Sequence, residues 1–214
     1  MQPEIMIADK SYHNAQAPNP RSLTLENIAI ALGNTCRWGG HLGTYSKIED
    51  RGARRMQTRP EPVVELNPVF YSVAEHSVLG ARFYMHSGQK ELAKLFLMHD
   101  ALEPFVGGDI PTPLKDFLPR VSEWEELGQK VLLDAYNLQG DFSMVKDVDR
   151  RICRNEVIEL YDDTPEWSKN IMPLFYEEQW DRTLIRLEKW TNVQAANEWY
   201  KLAIKLGLEN KYAA

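Results

Sequence analysis

Residues 72–104 read SVAEHSVLGARFYMHSGQKELAKLFLMHDALEP, and the fold is decided there. Ser72-Val73-Ala74-Glu75 has the form of a capping box, and Val78, Leu79, Ala81, Phe83 and Tyr84 follow at helical spacing, so a helix starts at Ser72. A second helix is expected from Glu91 to Asp100, broken by Pro104, with Gly107, Gly108, Pro111 and Pro113 enforcing a loop after it. Working outward, further helices are expected near 121–138, 143–162, 176–190 and 193–207. Upstream, Thr24 is an N-cap for a short amphipathic helix carrying Leu25, Ile28, Ala29 and Leu32, which the glycines Gly39 and Gly40 should end. Residues 41–70 show no clear period and read as a long irregular connection, and residues 1–21 as a polar segment extended over the surface. No stretch alternates like a strand for more than a few residues. The expected class is all-α: an extended segment 1–21, a helical core 22–163 with an irregular loop insertion, and a helical extension 164–214.

Composition is compatible with this. The chain of 214 residues is 43% hydrophobic and 26% charged, as in an ordinary globular protein. Its formal net charge of -6 argues against a uniformly basic nucleic-acid binder. Apolar runs such as Leu95-Phe96-Leu97-Met98 fall far short of the ~20 residues of a membrane span, and residues 1–20 contain no apolar signal region, so a cytoplasmic protein is expected. Cys36 and Cys153 are too few and too far apart for a disulfide framework or a zinc motif.

The five histidines carry the chemistry. His99 and Asp100 are adjacent at the end of an otherwise apolar helix, where side chains ~100° apart in direction can take neighbouring positions around an ion. In isolation such a pair is more often a simple helix-terminal ion pair. His76, however, lies in the first turn of the preceding helix, and an antiparallel arrangement would bring it opposite His99. Farther on, Val145, Val148 and Ile152 mark the apolar face of a helix, and Asp149 sits beside that face. A carboxylate there is tolerated in a buried position when it coordinates a metal. His13 and His86 match no motif.

The ordered set His76, His99-Asp100, Asp149 resembles the H…HD…D signature of HD-domain metal-dependent phosphohydrolases. Arg37-Trp38, Ala74-Glu75-His76-Ser77, His99-Asp100-Ala101-Leu102-Glu103, Gly108-Asp109-Ile110-Pro111-Thr112-Pro113-Leu114-Lys115 and Val145-Lys146-Asp147-Val148-Asp149 follow the order seen in bacterial HD-domain 5′-deoxynucleotidases, and phage dATP triphosphohydrolases look similar. The resemblance spans residues 23 to about 160. It implies that His76, His99, Asp100 and Asp149 ligate a divalent ion. Imidazole and carboxylate together suit Mn²⁺, Co²⁺, Ni²⁺, Fe²⁺ or Zn²⁺, and Mg²⁺ less well. Such an ion would activate water for in-line attack on the α-phosphorus of a deoxyribonucleotide. By the same resemblance Glu103 is the residue for proton transfer, with Asp109 orienting the loop or the water. Lys115 and Arg37 meet phosphate, while Trp38 and Gly40 lie near the sugar and base. From the residues alone, Glu103 also reads as a solvated helix-end carboxylate.

Two departures stand out. The doubled Gly107-Gly108 adds a residue between His99 and Asp109, and Gly39-Gly40-His41 replaces bulkier residues that shape the base pocket in some relatives. The substrate is either a 5′-monophosphate, releasing phosphate, or a 5′-triphosphate, releasing triphosphate. Five basic residues, Lys47, Arg51, Arg54, Arg55 and Arg59, are the group to meet the extra charge of the latter. The competing reading is a non-catalytic nucleotide-binding or interaction protein that retains the scaffold. Trp167, Trp180, Trp190 and Trp199 in the C-terminal segment point to core packing and to a homo-oligomer interface.

Overall fold

In the computed structural model, which describes residues 4–48, 63–110, 112–115, 117–160 and 186–213, the two helices expected from residues 72–104 form and pack against each other. The first, α2 (Val73–His86), starts at Ser72, whose Oγ accepts the Glu75 amide at 3.1 Å. The second, α3 (Lys90–Met98), follows the short turn Ser87-Gly88-Gln89, which forces an antiparallel pair, and buries Leu95, Phe96, Leu97 and Met98. The two helices approach closely at Gly80, where an added Cβ would lie 2.1 Å from Phe96 Cε1. Gly80 is one turn beyond His76 and Phe96 is one turn before His99. The Phe96 ring, seated on the bare backbone of α2, therefore draws the two histidines together, with ring centroids 5.3 Å apart.

The remaining helices surround this pair. They are α1 (Leu25–Asn34), α4 (Glu103–Val106), α5 (Thr112–Lys115), α6 (Pro119–Ala135), α7 (Lys146–Leu160) and α8 (Asn192–Leu206). The described residues are predominantly helical, as expected, and none of their helices is long and apolar enough to cross a membrane. Helix α8 lies on α1, α2 and α3. Its Trp199 is fully buried and donates from Nε1 to Leu97 O at 3.1 Å, so α8 is part of the core and not an appended layer. Trp190 is also buried. Trp167 and Trp180 lie outside the described residues, as do 176–185 of the helix expected at 176–190. Its end, 186–190, is irregular backbone.

Three expectations are corrected. Helix α1 ends at Asn34, short of the glycine pair. The chain leaves it because extended pairing with the segment before α2 competes: Val73 N donates to Thr35 O at 3.0 Å and Arg37 N to Tyr71 O at 2.8 Å. Residues 41–70 are not wholly irregular. Gly43–Ile48 (β3) and Val63–Pro68 (β4) form an antiparallel ladder with Gly43 opposite Pro68 and Ile48 opposite Val63. Each strand is six residues long, and its stability comes from a partner that local periodicity does not reveal. Arg51, Arg54, Arg55 and Arg59 are outside the described residues. Finally, the N-terminal segment forms an antiparallel pair of strands, β1 (Glu4–Met6) and β2 (Tyr12–Asn14), and does not simply run over the surface.

This N-terminal pair is fastened by His13, which is buried edge-on against Phe105 with centroids 5.0 Å apart. Ser22 Oγ donates to Asn19 O, so its bond to His13 Nδ1 at 2.9 Å takes the proton from the imidazole. Asn27 of α1 adds a bond from Nδ2 to Asp9 at 2.9 Å.

Two outcomes follow from this packing. Gly80→Ala should destabilise the protein by about 1–3 kcal/mol in urea denaturation, because the new methyl group meets the Phe96 ring, and this outweighs a helix-propensity gain of about 1 kcal/mol. Equal stability would show that Phe96 yields freely. For His13, burial pushes the imidazolium from 6.5 down to about 4. The unfolded chain binds more protons in that window, so the contribution of His13 is complete above pH 6.5 and is lost as pH falls toward 4. With allowance for solvent screening, the stability gap between wild type and His13→Gln should narrow by about 1–3 kcal/mol between pH 7 and pH 4.5.

Candidate metal centre

Three helices deliver the ligand set. The first turn of α2 carries His76, the turn that caps α3 carries His99 and Asp100, and the first turn of α7 carries Asp149. His76, His99 and Asp149 each offer one ligand atom, all within 4.8 Å of one another, a group that can hold a metal ion. Asp100 joins them, its Oδ2 3.1 Å from His99 Nε2 and 3.8 Å from His76 Nε2.

Both imidazoles are oriented from behind. His99 Nδ1 bonds to Phe96 O at 2.6 Å and His76 Nδ1 to Glu156 Oε1 at 2.5 Å. An acceptor at Nδ1 holds the proton there, so Nε2 is the nitrogen that faces the cluster and can give a lone pair to an ion. Among the described residues neither buried Nε2 atom has a hydrogen-bond partner; His76 Nε2 lies 3.1 Å from Asp149 Oδ1 but out of hydrogen-bond alignment. Buried polar atoms are rarely left so, and a cation among these four side chains would satisfy both nitrogens. Donor chemistry and geometry therefore fit a divalent ion.

Charge argues the same way. Arg37 is buried, with Nη1 3.3 Å from Asp100, Nη2 3.6 Å from Asp149 and Nε 3.1 Å from Glu156. Burial disfavours each of these carboxylates as an anion. For Asp100, His99 and Arg37 outweigh that effect and hold the group at about 2, and for Glu156, Arg37 and His76 do the same. Asp149 is lowered as well, through His76 and His99 against its burial. Three anionic carboxylates thus face one guanidinium, an excess of two negative charges. The same carboxylates raise His76 and His99 against their burial, so imidazolium protons offset that excess, and a divalent ion would offset it in their place.

The remaining sequence-selected residues border this centre. Glu103 opens α4; burial, then the charges of Asp100 and Asp109, push its carboxyl well above the usual range, and its Oε2 is buried without a partner. Lys115 lies 3.8 Å from Glu103 and is held at 2.8 and 3.1 Å by the two oxygens of Glu125 on α6. Asp109 holds the loop, its Oδ2 accepting the Trp38 amide at 2.7 Å. That bond fixes a backbone turn in which Trp38, Gly39 and Gly40 all have positive φ, costly for a tryptophan. Among the described residues, no atom beyond its chain neighbours lies within 4 Å of a Cβ added at Gly40. Pro111 lies outside the described residues.

Sequence reading missed Glu156, Tyr71, Cys153 and Glu125. Glu156 had a signal: it continues the Val148, Ile152 stripe of α7 at a spacing of four and puts a carboxylate where a core residue is expected. Cys153 Sγ accepts from Arg37 Nη2 at 2.9 Å. Glu75 also departs from its expected role. Its carboxylate does not close the capping box but accepts the amides of Glu188, Lys189 and Trp190, each at 2.8 Å, which ties the irregular segment before α8 to the residue next to His76.

No protein-family model matches the sequence. The chain is 32% identical over 120 residues to the uncharacterized protein YfdR of Escherichia coli (strain K12), across 56% of this chain and 51% of that protein. It thus spans about half the length of this relative.

After removal of metals with a chelator, calorimetric titration with Mn²⁺ or Co²⁺ should give one ion per chain. Asp149→Ala should weaken binding beyond the roughly 10–100-fold that loss of a ligand's supporting partner costs. Undiminished affinity in that variant would remove Asp149 from the ligand set.

Proposed function

We propose that this protein is a metal-dependent phosphohydrolase of deoxyribonucleotides of the HD-domain type. The observation that supports this most is the pair of buried, unpartnered Nε2 atoms facing Asp100 and Asp149, with an acid and two cationic side chains beside them. His76, His99, Asp100 and Asp149 would hold the ion, with Mn²⁺, Co²⁺, Ni²⁺, Fe²⁺ or Zn²⁺ suited to the donor set. When bound, a divalent ion lowers the pKa of water toward 7 and polarises phosphoryl oxygens.

The chain's own residues supply the rest. Lys115, steadied by Glu125, offers an ammonium to the phosphoryl oxygens on the Glu103 side. Arg37 neutralises Asp100 and Asp149 while the phosphate is absent, and its planar fork suits phosphate oxygens when the substrate enters. Attack by water at the α-phosphorus breaks the bond to the 5′-oxygen. Glu103, which burial and its acidic neighbours keep protonated, gives that oxygen its proton and recovers one from the water. The products are the deoxynucleoside and either phosphate or triphosphate, since both substrates break the same bond. The Trp38 turn lies toward the sugar and base, and the bare Gly40 leaves room for more than one base.

Incubation of the purified protein and Mn²⁺ or Co²⁺ with a panel of dNMPs and dNTPs, followed by chromatography of the products, tests the reading. Turnover should fall by about 10²–10⁴-fold in Glu103→Gln with metal binding retained. Absence of turnover with both substrate classes would refute the proposed reaction.

A further inference from the structure

We propose that Glu156 is the positioning residue for His76, holding the Nδ1 proton so that the Nε2 lone pair faces Asp149 and Asp100. The inference deepens the metal reading of this cluster and depends on it, but not on the identity of the substrate.

A carboxylate offers about four lone-pair sites, and all four are taken. Oε1 accepts from His76 Nδ1 at 2.5 Å and from the Tyr71 hydroxyl at 2.9 Å; Oε2 accepts from Arg37 Nε and Trp38 Nε1, both at 3.1 Å. The donors come from the turn after α1, from Tyr71 two residues before α2, and from α2 itself, while Glu156 stands on α7 and is completely buried. Its side chain therefore has no rotational freedom and no competing water. The three other donors immobilise the anion, and the anion in turn fixes the imidazole.

This arrangement differs from a buried ion pair that merely joins helices. For that purpose the bond to Arg37 would suffice. The His76 bond uses the other carboxylate oxygen and acts on the ring nitrogen opposite the one that faces the cluster, so it determines which nitrogen is free to ligate. Replacement by glutamine keeps shape but not function. Its single carbonyl oxygen can receive only one side of the network, and its amide group presents hydrogens to the other two donors whichever way it is turned.

The test uses the full chain and the ion alone. Apo wild type and Glu156→Gln are titrated calorimetrically with Co²⁺, with thermal unfolding monitored to confirm that the variant is folded. A folded variant that binds Co²⁺ 10–100-fold more weakly supports the assignment; a loss smaller than tenfold overturns it. Should Glu156→Gln not fold, nitrogen-15 NMR of histidine-labelled, Zn²⁺-loaded wild type decides. His76 with a protonated Nδ1 and a metal-bound Nε2 supports the assignment, and the reverse tautomer overturns it. A wild type that binds the ion without hydrolysing nucleotides refutes the proposed reaction and leaves the Glu156 test intact, whereas a wild type that binds no ion overturns both.

Discussion

Glu156 is fully buried, and Asp100 and Asp149 partly so, around a single guanidinium, Arg37, and two imidazoles. Burying that much charge is costly unless each group is paired, and the surrounding structure is arranged to pair it. Arg37 spans all three carboxylates, Glu156 takes four donors, and His76 and His99 face the two aspartates. The pairing is complete on the Glu156 side and incomplete on the side where the two Nε2 atoms meet Asp100 and Asp149. That asymmetry is what a cation-binding centre requires: a rigid, satisfied back and a front whose donors lack a partner.

Such a centre depends on helix packing more than on any single residue. The contact of Gly80 with Phe96 sets the α2–α3 separation, and both histidines sit one turn from it. Helix α8 braces the far side of α3 through Trp199, and Glu75 binds the segment leading to α8 onto α2 beside His76. Residues 186–213 therefore support the centre from behind. The N-terminal strands do the same for α4, because His13 lies against Phe105, two residues beyond Glu103.

A second economy lies in the turn after α1. Its backbone is paired with the residues that precede α2, its Trp38 amide is held by Asp109, and its Arg37 and Trp38 side chains are held by Glu156. One left-handed turn is thus fastened from three directions, which keeps a costly tryptophan conformation in place. The same fastening links the segment that begins at Gly108, through Asp109, to Arg37 and Trp38.

Much of this was legible in the sequence. Capping at Ser72 and Thr24 and apolar spacing in α1, α2, α3 and α8 are local signals, and each appears where local physics puts it. The proline and glycine punctuation was less exact: α1 stops before Gly39, and Pro104 and Pro113 fall inside the short helices α4 and α5, whose first turn tolerates proline. His76, His99, Asp100 and Asp149 were selected by their order in the chain, through the resemblance to the HD signature, and the fold brings the four together. Glu156, Tyr71 and Glu125 were not selected, because each acts on a residue ten to more than a hundred positions away, and no local pattern encodes such a partner. For the same reason the β3–β4 ladder was read as irregular. The chain by itself determined which side chains lie on a helix's buried face. Which of those faces meet, and hence which nitrogen of His76 is left free, was decided only by tertiary packing, since the proton on an imidazole answers to whatever acceptor the fold places behind it.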